Sequence, residues 1–205
     1  MLTIRRLVRS AAIATLLTNL PILASAQGAS ARNQTWELRI PSGSLIATGD
    51  LRHEIKNAQS SAVQLSWAVR PQLAITGTFS WARSRDLASA GAPKLNVFTS
   101  DVGAELRSAE RNREGRVSAR GFVGAGAGAR SYNHRTLDVD ATHNLAAYAS
   151  VGGELGIQRI ALRLEARDYA TGFRPLMTGG TSSARNDVVV MVAVRFNRHR
   201  APEIR

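Results

Sequence analysis

Beyond Gln27 the dominant pattern along the chain is strict alternation of apolar with polar or small residues, the period-two signature of strands with unlike faces. Val63, Leu65, Trp67 and Val69 fall on one side of such a segment, with Gln64, Ser66 and Ala68 on the other. After Arg70-Pro71-Gln72 the pattern resumes, Leu73, Ile75, Gly77, Phe79 and Trp81 alternating with Ala74, Thr76, Thr78, Ser80 and Ala82. Proline fixes φ and cannot donate to a ladder, so its place in so short a connection predicts a tight hairpin. No helical period competes. The pattern predicts about eight strands near 35–47, 61–70, 72–82, 95–107, 117–131, 144–156, 160–169 and 187–196, the first interrupted by Pro41 and Gly43.

The connections between these strands alternate: long at 48–60, short at 70–72, long at 83–94, moderate at 108–116, long at 132–143, short at 157–159 and long at 170–186. An even strand number with alternating short and long connections suits an up-and-down barrel with both termini at the short-turn end.

Periodicity does not say which face is buried. Ile160, Leu162, Leu164 and Ala166 share one face, and Arg163, Glu165 and Arg167 the other. A soluble barrel would enclose the apolar face around a ligand, and a membrane barrel would turn it toward lipid. The N-terminus bears on the choice. Arg5, Arg6 and Arg9 precede an apolar stretch from Ala11 to Ala24, and Ala24-Ser25-Ala26 stands before Gln27. That order reads as a signal peptide over 1–26, removed from a barrel over 27–196 that is followed by a basic tail over 197–205. Interrupted by Asn19 and Pro21, the apolar stretch is shorter than the roughly 20 residues of a membrane-spanning helix. The last strand adds Val188, Val190, Val192, Val194 and Phe196, alternate apolar residues closing on an aromatic.

With these features the chain resembles the small eight-stranded outer-membrane barrels of the OmpA/OmpX type, and more loosely the bacterial proteins described only as outer-membrane β-barrel domains. The resemblance covers nearly the whole mature chain. It implies an all-β fold, a closed antiparallel up-and-down transmembrane β-barrel, in the outer membrane of a Gram-negative-type bacterium. It also implies export through the inner membrane, a monomer, and a last strand whose end at Phe196 addresses the barrel-assembly machinery. This chain departs from the family pattern in continuing nine residues beyond Phe196. Trp36, Trp81, Tyr169 and Phe196 are expected at the ends of the apolar band, where interfacial aromatics collect.

An eight-stranded barrel has an interior just wide enough for side chains to fill. Alternation places Glu37, Asp101, Glu105, Glu154, Glu165 and Asp187 inside together with Arg39, Arg107, Arg120, Arg163, Arg167 and Arg195. Opposed charges in a narrow interior satisfy one another, so these residues are expected to form a plug of salt bridges rather than an open pore.

Composition narrows the chemistry. The chain has no cysteine, which excludes a disulfide framework, thiolate metal sites, thiol catalysis and a lipid-anchored cysteine. Its formal charge of +12 falls to about +9 without the signal arginines, and most of the basic residues are scattered arginines. Scatter argues against a nucleic-acid partner. Arg52, Lys56, Arg83, Arg85, Lys94, Arg135, Arg174 and Arg185 are placed in the long outer loops, where phosphates of lipopolysaccharide and the surrounding membrane lipid are the natural partners. His53, His134, His143 and His199 fall in loops or the tail without metal-ligand spacing, so neither a metal nor another cofactor is expected. The run Gly121 to Ala129 contains Gly124, Gly126 and Ala129 in a relaxed dinucleotide spacing, but no strand-then-helix unit surrounds it. Inward glycines there leave room for large neighbours. His143, Ser150 and Glu154 are the nearest approach to a hydrolytic set, without the serine two residues after His143 that the lipid A deacylase pattern requires. The chain is not expected to be an enzyme. An outer-membrane lipid-modifying enzyme and a secreted soluble barrel holding an apolar ligand are the alternatives.

Overall fold

The computed structural model describes residues 36–113, 117–135, 137, 140–157, 160–173 and 183–196. The signal segment, the basic tail, Arg174 and His199 lie outside the described residues.

Among the described residues ten strands follow in chain order: β1 Trp36–Arg39, β2 Ser42–Ala47, β3 Ala58–Arg70, β4 Leu73–Arg85, β5 Lys94–Arg107, β6 Arg111–Arg113, β7 Val117–His134, β8 Thr142–Ile157, β9 Ile160–Phe173 and β10 Ser183–Phe196. All pair antiparallel with their neighbours, and β2 bonds to β10 as well as to β3, so the sheet closes on itself. Strands β1 and β2 are two halves of one stave, broken at Ile40–Pro41 where proline withholds a ladder donor, and both halves lie along β3. Short β6 pairs only with the start of β7. The result is a closed, eight-stave, all-β antiparallel barrel. Closure pairs the long staves on both sides, so only short β1 and β6 keep an unpaired edge among the described residues.

The strands run further than the alternation alone suggested. β3 begins at Ala58, β4 ends at Arg85, β7 ends at His134 and β10 begins at Ser183, so sheet takes residues assigned to the long loops. Arg83, Arg85, Lys94 and Arg185 therefore sit on strands, not in loops, because cross-strand pairing continues beyond the apolar band. His134 and His143 likewise belong to β7 and β8.

The barrel is inside out relative to a soluble protein. On β9, Leu162 and Leu164 are about half exposed (47% and 53%) while Arg163 and Glu165 are 3% and 4% exposed. The same polarity holds around the ring, with Val63, Leu65, Ile75, Phe79, Val102, Leu106, Val123, Val151, Val192 and Val194 all pointing out. This arrangement removes the reading in which the Val and Leu faces enclose an apolar ligand. The outward run on β4 from Leu73 to Trp81 is about nine residues, the length a tilted strand needs to cross a hydrocarbon layer. It ends at Arg83. Trp36 stacks on Trp67 near the short-turn end of the band, with ring centroids 5.8 Å apart. Toward the other end Phe98 stacks on Trp81 at 6.4 Å and on Phe79 at 6.2 Å. Tyr169, expected in the outer girdle, instead points into the barrel with Tyr148 and Tyr132, since it shares parity with Arg163 and Arg167.

Inward glycines set the room for these rings. A Cβ on Gly126 would lie 2.5 Å from the Tyr148 ring and 2.5 Å from the Val102 carbonyl, and one on Gly152 would meet Phe122 at 2.2 Å. A side chain at either glycine would take space that these rings occupy.

Candidate functional site

The interior forms two regions. Toward the short-turn end, inward side chains from β1, β5, β7, β8, β9 and β10 make one continuous ionic chain. Arg120 Nη2 donates to Glu154 (3.2 Å), and Arg195 bridges Glu154 and Glu37, the latter at 2.6 Å. Glu37 also holds Arg39 and lies 3.6 Å from Arg107, which donates to Glu105 at 2.6 Å. Glu105 in turn accepts from Arg163, whose other carboxylate partner is Glu165 at 3.0 Å. Arg167 completes the run between Glu165 (2.6 Å) and Asp101 (2.9 Å).

Neutral hydrogen-bonding groups and ring faces fill the remaining valences. Gln64 Oε1 accepts from Arg39 at 3.0 Å, Ser66 Oγ from Arg107 at 2.9 Å and Thr78 Oγ1 from Arg167 at 3.0 Å, while the Tyr169 hydroxyl donates to Asp101 at 2.7 Å. Three guanidiniums also lie over ring faces: Arg163 over Phe122, Arg167 over Tyr148 and Arg130 over Tyr169, between 3.5 and 4.6 Å from the centroids.

The alternation thus brings eleven of the residues singled out from the sequence into one network. Asp187, the twelfth, stands apart with Arg130, which the sequence reading missed. Arg130 shares inward parity with Arg120, and the signal was its even spacing along β7 beyond the glycine run. Arg130 also donates to Thr99 Oγ1 at 3.0 Å.

Toward the long-loop end the interior turns apolar. Leu45, Leu95, Val97, Val189 and Met191 pack with Tyr132, and a 3-10 turn at Gly49–His53 lays Leu51 over them, followed by Ile55. Both are essentially fully buried, at 0% and 1% exposure. Backbone bonds hold this cap down: Thr48 N–H to Asn186 O (3.3 Å), Lys56 N–H to Arg85 O (3.0 Å) and Leu87 N–H to Glu54 O (2.7 Å). Nothing in the alternation announced it. Beside the cap, buried Asp86 accepts from the Ala88 and Ser89 amides (3.0 and 3.2 Å) and from the Ser89 hydroxyl (2.7 Å), and meets His134 Nε2 at 3.1 Å. His134 is therefore a buried partner of the first turn after β4, not a solvated loop residue.

The residues weighed for hydrolysis do not converge. His143 lies on the outward face of β8, bonded to Ser131 Oγ at 2.7 Å, while Ser150 and Glu154 point inward and Glu154 is committed to two arginines.

The surface cations divide sharply. Arg185 is neutralised by Glu54 through two bonds of 2.8 and 2.6 Å, Arg52 donates to its neighbour His53 at 3.0 Å, and Lys56, just before β3, has no acid partner among the described residues. Arg83, Arg85, Lys94 and Arg135 instead share one outward patch. Arg85 is directly opposite Lys94, and the Arg135 N–H bonds to the Lys94 carbonyl at 2.9 Å, continuing the same cross-strand row. One row nearer the apolar band come Arg83, Asn96 and Asn133, and then Trp81, Phe98 and Ser131.

No family model matches the chain, and no curated protein matches it significantly. Solved structures similar to it include Neisserial surface protein A, at 8% identity and a TM-score of 0.48 over 80% of this chain and 99% of that one. Ail, the attachment invasion locus protein of Yersinia pestis, is similar at 11% identity and a TM-score of 0.43, over 80% of this chain and 98% of the other.

Proposed function

We propose that this chain is an integral outer-membrane β-barrel protein with a structural or surface-interaction role, monomeric, with an interior filled by side chains instead of an open pore. The observation that carries the reading is its inverted polarity. An apolar outer band of membrane-spanning height encloses a paired ionic network, an arrangement stable where lipid surrounds the barrel and unstable where water does. Bare in water, so large a continuous apolar surface would drive association.

The filled interior supports a closed barrel for two independent reasons. A permeating ion would have to pass a chain of guanidinium–carboxylate pairs that draws on six staves. It would then meet the apolar layer of Leu51, Ile55, Leu95 and Val189, which offers no ligand to replace water. Insertion follows export, with the last strand β10 and its Phe196 end addressing the assembly machinery. Among the described residues the His143, Ser150 and Glu154 set weighed for the lipid-modifying alternative does not converge.

Expression of the full chain in a bacterium with an outer membrane tests the reading. The protein is expected in that membrane fraction, with a gel mobility that shifts on boiling, and without steady conductance after reconstitution in planar bilayers. A water-soluble periplasmic product would refute the membrane placement, and reproducible channels would refute the filled interior.

A further inference from the structure

We propose that the patch formed by Arg83, Arg85, Lys94 and Arg135 above the Trp81–Phe98 stack is a binding site for the phosphate groups of a phosphorylated glycolipid in the leaflet at the long-loop end. The inference rests on the membrane reading above and assigns it a specific partner and face.

Four observations meet there. Arg85, Lys94 and Arg135 occupy adjacent positions of one cross-strand row, and among the described residues no carboxylate pairs with any of them or with Arg83. Like charges set directly opposite one another in a sheet repel, so the row carries an electrostatic cost that a bound anion relieves. Inside the barrel the arginines are matched by acids, and Arg185 is matched by Glu54, whereas here four cations gather with no acid among them.

The rows are also ordered in depth as an amphiphile is. Phe79, Phe98 and Trp81 form a stacked aromatic surface at the border of the apolar band, suited to acyl chains. The guanidinium of Arg83 lies 4.3 Å over the Trp81 ring, which holds a cation at that border. Asn96 and Asn133 follow, and the Arg85–Lys94–Arg135 row is outermost.

Among the described residues two buried polar atoms of the patch have no hydrogen-bond partner, the indole Nε1–H of Trp81 and the side-chain carbonyl of Asn96. An unsatisfied donor on β4 and an unsatisfied acceptor on the adjoining β5 suit a headgroup that carries both hydroxyls and phosphoryl oxygens.

Among the described residues, the outward positions of β9 and β10 toward the long-loop end are Asp168, Ala170, Ala184 and Asn186, none of them a cation, so the patch lies on the β4, β5 and β7 side.

The test uses the full chain in detergent, titrated with bisphosphorylated lipid A and read by native mass spectrometry, with the same lipid stripped of phosphate and phosphatidylcholine as comparison probes. Bisphosphorylated lipid A is expected to bind with the highest affinity. The triple substitution Arg85→Gln, Lys94→Gln, Arg135→Gln is expected to weaken it about a hundredfold. Arg52→Gln with Lys56→Gln should leave it within about twofold, since those cations lie off the patch. The heat-dependent mobility shift is measured on every variant, so a barrel that fails to form is distinguished from a barrel that fails to bind. Equal affinity for the dephosphorylated lipid, equal losses from the two sets of variants, or displacement of lipid A by a soluble sulfated polysaccharide at the same concentration would each overturn the assignment. In those cases a retained mobility shift would leave the membrane reading standing.

Discussion

Replacing Asp187 with alanine strands one of the most deeply buried cations in the protein. Arg130 is 1% exposed and its one carboxylate partner among the described residues is Asp187, itself 0% exposed. What remains to the guanidinium is neutral: the Thr99 hydroxyl at 3.0 Å, the Tyr132 hydroxyl and the face of Tyr169 at 4.4 Å. The same-face neighbours along the strands, Tyr132 and Val189, belong to the apolar region and supply no anion. Removing one partner of a buried pair costs about 3–5 kcal/mol, most of it the penalty of the uncompensated charge. With a urea dependence of about 2 kcal/mol per molar, that loss moves the unfolding midpoint down by roughly 2 M.

Arg130→Met alone leaves Asp187 unpaired and is expected to cost about as much. Arg130→Met together with Asp187→Val removes both charges, extends the apolar layer by one level, and is expected to fall within about 1 kcal/mol of the parent. The assay is urea unfolding in lipid vesicles, followed by fluorescence of the chain's three tryptophans and by the fraction of protein keeping its fast-migrating gel form. If the double variant lost as much stability as the two single variants combined, the two charges would not be coupled, and the account of the interior as a mutually satisfied set would be wrong.

Val102→Arg, on the lipid-facing side of β5, is expected to cost about 2–4 kcal/mol, whereas Asn96→Arg on the same strand beyond the band should cost about 0–1, compared by folding into vesicles. Equal costs would contradict the placement of the apolar band in hydrocarbon. Gly126→Val is expected to abolish the heat-shifted band, because its side chain would collide with Tyr148 and with the backbone carbonyl of Val102. A normal shift would mean that the ring has room the packing does not show. Leu51→Ala in the cap is expected to cost about 2–5 kcal/mol and to make 49–57 cleavable by added protease, as measured by mass spectrometry of the digest. Resistance equal to the parent would mean that the backbone bonds alone hold the cap.

Much of the architecture was legible in the sequence because β-structure writes its faces with a period of two. Once Arg163, Glu165 and Arg167 are seen to alternate with Leu162, Leu164 and Ala166, only the direction of each face remains open. The even strand number and the rhythm of short and long connections narrow the topology further. The same parity marks Arg130 and Tyr169 as inward, so the omission of the first and the outward placement of the second follow from letting strand ends override parity.

Three things needed the tertiary structure, each because it depends on residues far apart in sequence. Closure of β10 onto β2 decides which acid meets which arginine: Glu105 takes Arg163 from 58 positions away, and Asp187 takes Arg130 from 57. The cap arises only because apolar inward residues of β2, β5 and β10 present a surface to Leu51 and Ile55, which a linear pattern records as two unremarkable loop residues. Register gathers Arg83, Arg85, Lys94 and Arg135 into one patch while Glu54 neutralises Arg185, although in sequence all five are merely basic residues near strand ends. Alternation is a local property of each strand, and pairing is a property of the closed sheet.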